Sequence, residues 1–346
     1  MLVYWLMFFI PVLAQFGPGR LTIHARDWTW RATCVLFALL IGLRFEVGGD
    51  WFVYADYYRA AAGEPFASVF TQRDLAYELL VWLSAYHDMG MGVVNLVCAT
   101  VVMIGTYHFC RRQPRPWLAL IVAVPYMLIV VAMGYTRQSA ALGLELLALV
   151  ALGDGRLRRF FILIACAALF HKSAVVLLPL GIFASTHKTA WTIVAMVGMS
   201  LLLGGALLLE QYEALLYTYS EMESEGGAIR VAMNAIPALL FLRYARRLSL
   251  DDSERRLWTW VAVFSLACIP LVAVASTAAD RVALYFLPIQ VFVYSRIECL
   301  FRDTFDRTIV RLIIVSAYGL VEWVLLNKAT NVSVAWVPYQ NVVFPW

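Results

Sequence analysis

Apolar segments recur from one end of this chain to the other, and that recurrence limits the fold more than any motif does. Mostly apolar runs fall at about 2–16, 31–45, 75–87, 91–109, 117–133, 138–152, 160–183, 190–209, 229–243, 258–275, 282–298 and 309–326. A helix of about 20 such residues crosses the hydrocarbon layer of a bilayer. Inside that layer every backbone polar group must be bonded within the protein, so only helices and closed barrels span it. No short alternating segments of the barrel kind are present. With 62% of its 346 residues hydrophobic and 14% charged, the chain reads as an all-α polytopic integral membrane protein. The first run, Leu2 to Phe16, has no basic residue before it and no small-residue cleavage pattern after it. It is expected to be a retained span rather than a removed signal peptide.

Arginine clusters separate several of the runs: Arg20, Arg26 and Arg31; Arg111, Arg112 and Arg115; Arg156, Arg158 and Arg159; Arg246, Arg247, Arg255 and Arg256; Arg302, Arg307 and Arg311. Basic loops belong on the cytoplasmic side. Simple alternation fails twice, because three runs separate the first two clusters and three more separate the third and fourth. Parity returns if 75–87, which carries Glu78 and His87, and 160–183, which His171 and Lys172 interrupt, do not cross. The expectation is one helical membrane domain over 1–346, with about ten crossings plus re-entrant or surface helices. Its outer loops fall at 46–74 and 210–228, and its outer tail at 327–346.

With that sidedness, four polar groups share the outer face. They are Gly48-Gly49-Asp50-Trp51 with Tyr54, Asp56 and Tyr57; Tyr135-Thr136-Arg137-Gln138; His171-Lys172-Ser173; and Asp280-Arg281 leading to Tyr285. Each has a plain structural reading. Asp50 serves as a helix cap, Asp280 and Arg281 as a neighbouring pair, Arg137 as a snorkelling side chain, and the aromatics as an interfacial belt. A histidine and a lysine side by side within an apolar run cost several kcal/mol on a lipid face, so His171 belongs in a wet, protein-lined pocket. Guanidinium forks bind phosphate in bidentate fashion and lysine adds a point charge. A histidine or aspartate nearby can take a proton from a hydroxyl.

No acid pair is spaced for Mg²⁺ on that face, and Asp251-Asp252 falls among cytoplasmic arginines, so no metal and no cofactor is expected. Glu145 lies eight residues after Arg137 on one helix face and is expected to be its structural partner; Glu322 has no evident partner. The six scattered cysteines read as small core residues, and the net charge of +4 gives no reason to invoke nucleic acid.

The stretches GGDWFVYADYY, YTRQSAALGLELLAL, FHKSAVVLLPL and DRVALYFLPIQ, in that order, resemble the EpsG family of Wzy-like exopolysaccharide and O-antigen polymerases. The resemblance covers most of the chain from about Gly48 to Arg296. It implies a GT-C-type glycosyltransferase of the bacterial plasma (inner) membrane with its active site facing the periplasm or outside. Such an enzyme moves a growing glycan from undecaprenyl diphosphate onto a hydroxyl of a lipid-linked repeat unit, without a metal. By position, Arg137 and Arg281 would hold the diphosphate with Lys172 assisting. His171 or Asp50 would activate the hydroxyl, and Tyr135, Gln138 and Tyr285 would line the pocket, with Asp280 beside Arg281. Trp51, Tyr54, Asp56 and Tyr57 would offer a platform for sugar. Implied partners are the lipid-linked oligosaccharides, membrane lipid, a flippase and a chain-length regulator. A transporter or flippase for a lipid-linked oligosaccharide would use the same cations and make no bond. The lack of internal repeats and the one-sided charges argue against it, and no GxSG serine motif supports an intramembrane protease.

Overall fold

The computed structural model describes residues 1–17, 22–71, 74–184, 194, 197–198, 201, 227–274 and 276–343. Among these the chain is helical and has no β-strand; its one β-type contact is a bridge between Arg44 and Asn341. The apolar run expected at 190–209 and the acidic loop expected at 210–228 fall almost wholly outside the described residues.

The helices, in chain order, are α1 (Leu2–Phe16), α2 (Ile23–Gly42), α3 (Trp51–Ala61), α4 (Leu75–Tyr86) and α5 (Met91–Arg111). Next come α6 (Pro116–Gly134), α7 (Thr136–Gly153), α8 (Leu157–Phe170) and α9 (Leu178–Ala184). The last are α10 (Gly227–Tyr244), α11 (Asp252–Val274), α12 (Ser276–Leu284), α13 (Pro288–Tyr294), α14 (Thr304–Asn327) and α15 (Thr330–Ala335). Among the described residues, four helices are long and apolar enough to cross a membrane: α5, α6, α11 over Asp252–Val272, and α14; α1, α4 and Lys172–Ala184 are apolar but shorter. The protein is a multi-pass membrane protein.

The chain packs as two compact units. The first holds Met1–Leu144, Leu169–His171 and Asp303–Trp346; the second holds Glu145–Ala168 and Lys172–Arg302. Within the first, α6 is the central helix. Its apolar window is 94% buried against 22% for α14, so α6 is wrapped by protein. Leu312, Ile313 and Leu320 of α14 face outward, as lipid-facing side chains do. Pro116 opens α6 at a position where the missing N–H costs nothing. Pro125 removes a donor inside it, and Val124–Val131 widens into a π-helical stretch. Helices α5 and α7 touch backbone to backbone at Gly105 and Gly143, where a Cβ on either residue would collide with the other helix.

In the second unit α10, α11 and α12 pack on one another, and α13 lies against α10. Trp258 stacks on Phe292 at 3.9 Å between ring centroids. A buried amide relay runs from Gln290 Nε2, which donates to Asn234 Oδ1 at 2.7 Å, to Asn234 Nδ2, which donates to the Ala283 carbonyl at 2.7 Å.

Candidate functional site

Three helix ends of the first unit bring charge together. Asp74 is the residue before α4, yet its carboxylate makes no cap bond to that helix. Arg137 is the second residue of α7. His171 is where the apolar segment 160–183 leaves the α-helix, between the end of α8 and a 3₁₀ turn over Lys172–Leu177. Pro179 explains why the helix cannot continue unbroken: it has no N–H for the Val175 carbonyl.

These ends converge on a single oxygen. Arg137 Nη1 donates to Asp74 Oδ2 at 3.0 Å, and His171 Nδ1 stands 3.5 Å from the same oxygen. Asp74 is 3% exposed. The Arg137 guanidinium carbon lies 5.6 Å from the ring centre of Tyr54, 5.7 Å from that of Tyr57 and 5.7 Å from that of Tyr77, close enough for cation–π attraction to each. Burial pushes the Tyr54 phenol up to about 12, with the Arg137 charge pulling the other way, so it stays a neutral donor at pH 7. Beneath the charges, Tyr54, Tyr77, Val81, Val94, Cys98 and Ala140 form one apolar cluster that fixes α3, α4, α5 and α7 together, with Phe170 packed against it.

The site is incompletely bonded. Arg137 Nε, His171 Nδ1 and the Tyr77 hydroxyl are buried and have no hydrogen-bond partner among the described residues. A buried donor left unpaired costs about 1–3 kcal/mol. With Arg137 Nε and the Tyr77 hydroxyl unpaired around the guanidinium and His171 Nδ1 beside Asp74, the site has spare polar atoms for an oxygen-rich ligand.

A second guanidinium, this one fully buried, braces the site. Arg44, 2% exposed, donates through Nε to the Val47 carbonyl (3.1 Å) and through Nη1 to the Ile41 carbonyl (2.7 Å). Its Nη2 reaches Thr136 Oγ1 at 2.7 Å, next to Arg137, and Asn95 Oδ1 at 3.4 Å. The loop so held turns at Gly48, whose φ of +111° suits glycine and whose missing Cβ lets the Met133 carbonyl approach. The C-terminal segment straps the same loop. Gly48 N–H donates to Ala335 O, Phe45 N–H to Gln340 O, and Val342 N–H to Leu43 O, at 2.9, 3.0 and 2.8 Å. Trp336 Nε1 donates to the Ile129 carbonyl in the π-helical stretch of α6 at 2.9 Å.

Over residues 27–341 the sequence matches the EpsG family. The chain belongs to the EpsG family. No curated protein and no solved structure matches it.

In this EpsG-family chain the residues expected to act together are distributed as follows. Arg137, His171, Tyr54 and Tyr57 meet around Asp74. Asp50 is the residue before α3 and adds its negative charge to the surroundings of Tyr54, and Trp51 starts that helix with its ring edge-on to Phe45. Gln138 is buried and Tyr135 half-buried at the start of α7. Asp56 instead forms an exposed pair with Arg59 at 2.6 Å, the arrangement of a solvated surface charge. Lys172, Asp280, Arg281 and Tyr285 belong to the second unit. There Asp280 pairs with Arg230 at 2.5 Å, the Tyr285 and Ser173 hydroxyls share a hydrogen bond at 2.9 Å, and Arg281 is exposed.

The expected Arg137–Glu145 partnership is corrected. Eight residues along a helix is about 12 Å, beyond side-chain reach. Glu145 is fully buried and neither of its carboxyl oxygens has a hydrogen-bond partner among the described residues. Arg137 takes Asp74 instead. Asp74 was passed over as a loop end; its signal was an acid directly abutting an apolar helix, with Glu78 one turn on.

Proposed function

We propose that this protein is a polysaccharide polymerase, a GT-C-type glycosyltransferase with about ten crossings in the bacterial plasma membrane. It transfers a growing glycan from undecaprenyl diphosphate to a hydroxyl of a lipid-linked repeat unit at the outer face. Two things support the reading: membership in the EpsG family and the cluster of Arg137, His171 and Asp74, with its unpaired buried donors. The cluster is the observation that carries the chemistry.

In this reading the acceptor hydroxyl oxygen bonds to the anomeric carbon as the bond from that carbon to the diphosphate oxygen breaks, with inversion. The electron pair leaves with the lipid diphosphate, whose charge Arg137 meets. The hydroxyl proton passes to His171 Nε2, the ring nitrogen turned away from Asp74. Asp50 is the rival base. Trp51, Tyr54 and Tyr57 offer ring faces and hydroxyls to the sugar. A flippase supplies the lipid-linked repeat, and a chain-length regulator is the natural companion.

The test is direct. Purified protein given its host's lipid-diphosphate-linked repeat unit, in EDTA, should yield a ladder of longer glycans and free lipid diphosphate. Arg137→Ala, at normal protein levels, should yield neither. Wild-type polymerisation by Arg137→Ala overturns the proposal.

A further inference from the structure

The contacts of Asp74 carry more than a static salt bridge. Its Oδ2 is held by Arg137 at 3.0 Å while His171 Nδ1 waits at 3.5 Å with no hydrogen bond of its own. Two cationic or potentially cationic donors therefore compete for one oxygen, and the arginine holds it. Arg137 in turn has Nε unpaired, so its fork is only partly used. Glu78 sits one turn beyond Asp74, its backbone N–H bonded to the Asp74 carbonyl, and the charges of Arg137 and Asp74 both act on it. The rings of Tyr54, Tyr57 and Tyr77 stand around the Arg137 guanidinium and carry no charge of their own.

We infer that Asp74 is an exchangeable counter-ion, released by Arg137 when a lipid diphosphate binds and then taken up by His171. The inference rests on the polymerase reading above. A diphosphate offers more negative charge and more acceptor oxygens than one carboxylate, so it wins the guanidinium fork. Asp74 Oδ2 then accepts the His171 Nδ1–H, which fixes the tautomer with Nε2 as proton acceptor. No bond is made or broken in this step; one hydrogen bond is exchanged for two. The base is set only when the leaving group is already gripped. Asp74 acts through His171 and is a positioning residue.

The exchange makes a prediction that a merely structural Asp74 would not. Without its carboxylate charge, Arg137 has nothing to give up, so the ligand should bind more tightly while turnover falls. Farnesyl diphosphate titrated into the purified protein in nanodiscs is the probe, read alongside polymer formation in the native host. Asp74→Asn should bind it about fivefold to tenfold more tightly than wild type and make at least about a hundredfold less polymer. Arg137→Ala should lose binding. The second readout uses the wild-type protein, so it does not depend on how the variants fold. In ¹⁵N-histidine spectra the Nδ1 signal of His171, assigned by its loss in His171→Gln, should shift when farnesyl diphosphate is added. If Arg137→Ala loses binding but Asp74→Asn binds no more tightly, or the wild-type Nδ1 signal stays where it was at saturating ligand, the exchange is refuted while the site stands. Undiminished binding by Arg137→Ala refutes the site itself, and the exchange with it.

Discussion

Two arginines in the same unit, the buried Arg44 and the half-buried Arg137, show how much the bonding of a guanidinium says about its task. Arg44 spends all three nitrogens on neutral acceptors: two backbone carbonyls, one hydroxyl and one amide oxygen. All four belong to the protein itself, from α2, the loop after it, α5 and α7, so Arg44 ties these segments together. Arg137 bonds a carboxylate and the Tyr54 side chain, has three tyrosine rings within cation–π distance and leaves Nε without a partner among the described residues. The first pattern is a brace; the second suits the grip on a diphosphate proposed above. They are joined through Thr136, which Arg44 holds and which precedes Arg137 in the chain. The brace therefore sets where the grip stands.

That contrast can be broken by experiment. The largest effect on the fold is expected from Arg44→Ala, which removes four buried hydrogen bonds and should cost about 3 kcal/mol or more. Thermal melts and the yield of monodisperse protein in detergent would show it. A variant that melts like the wild type would make Arg44 no brace. Arg137→Lys keeps the charge but not the fork. Polymer formation should fall about tenfold to a hundredfold, while the melting midpoint moves little; a large loss of stability would erase the distinction between the two residues. Gly48→Ala tests the loop between them. A side chain there meets an unfavourable φ and the Met133 carbonyl, for a cost of about 1–3 kcal/mol. Trp336→Phe removes a single hydrogen bond to Ile129 and should cost about 1 kcal/mol, read from the same melts. The smallest change is expected from Tyr57→Leu. It deletes one exposed ring of three around Arg137 and should weaken farnesyl diphosphate binding by less than about fivefold.

The break at His171 could be read from the chain because two costly side chains interrupt an apolar run, and the helix does stop at Phe170. Arg137 stood out for the same reason. Its partner did not, because Asp74 lies 63 positions away while Glu145 sits nearby on the same helix. Local spacing favoured the wrong carboxylate. At Asp280, too, the fold supplies a partner that sequence adjacency does not advertise: Arg230, fifty positions earlier. The task of Arg44 is not legible from the chain, because two of its four acceptors are backbone carbonyls, which no side-chain pattern advertises. Family membership was legible from four short stretches taken together. The number of crossings was harder to read, since only four described helices are both long and apolar enough to cross on that measure alone.

The strap formed by residues 335–342 has a consequence for biogenesis. Trp336 meets Ile129 across 207 positions of sequence. During synthesis, then, the loop around Gly48 and the start of α7 are inserted long before the segment that clamps them has left the ribosome. A nascent chain stopped short of Trp336 would carry Asp74, Arg137 and His171 and still lack the contacts that hold the Gly48 loop. Assembly in this protein finishes from its carboxyl end.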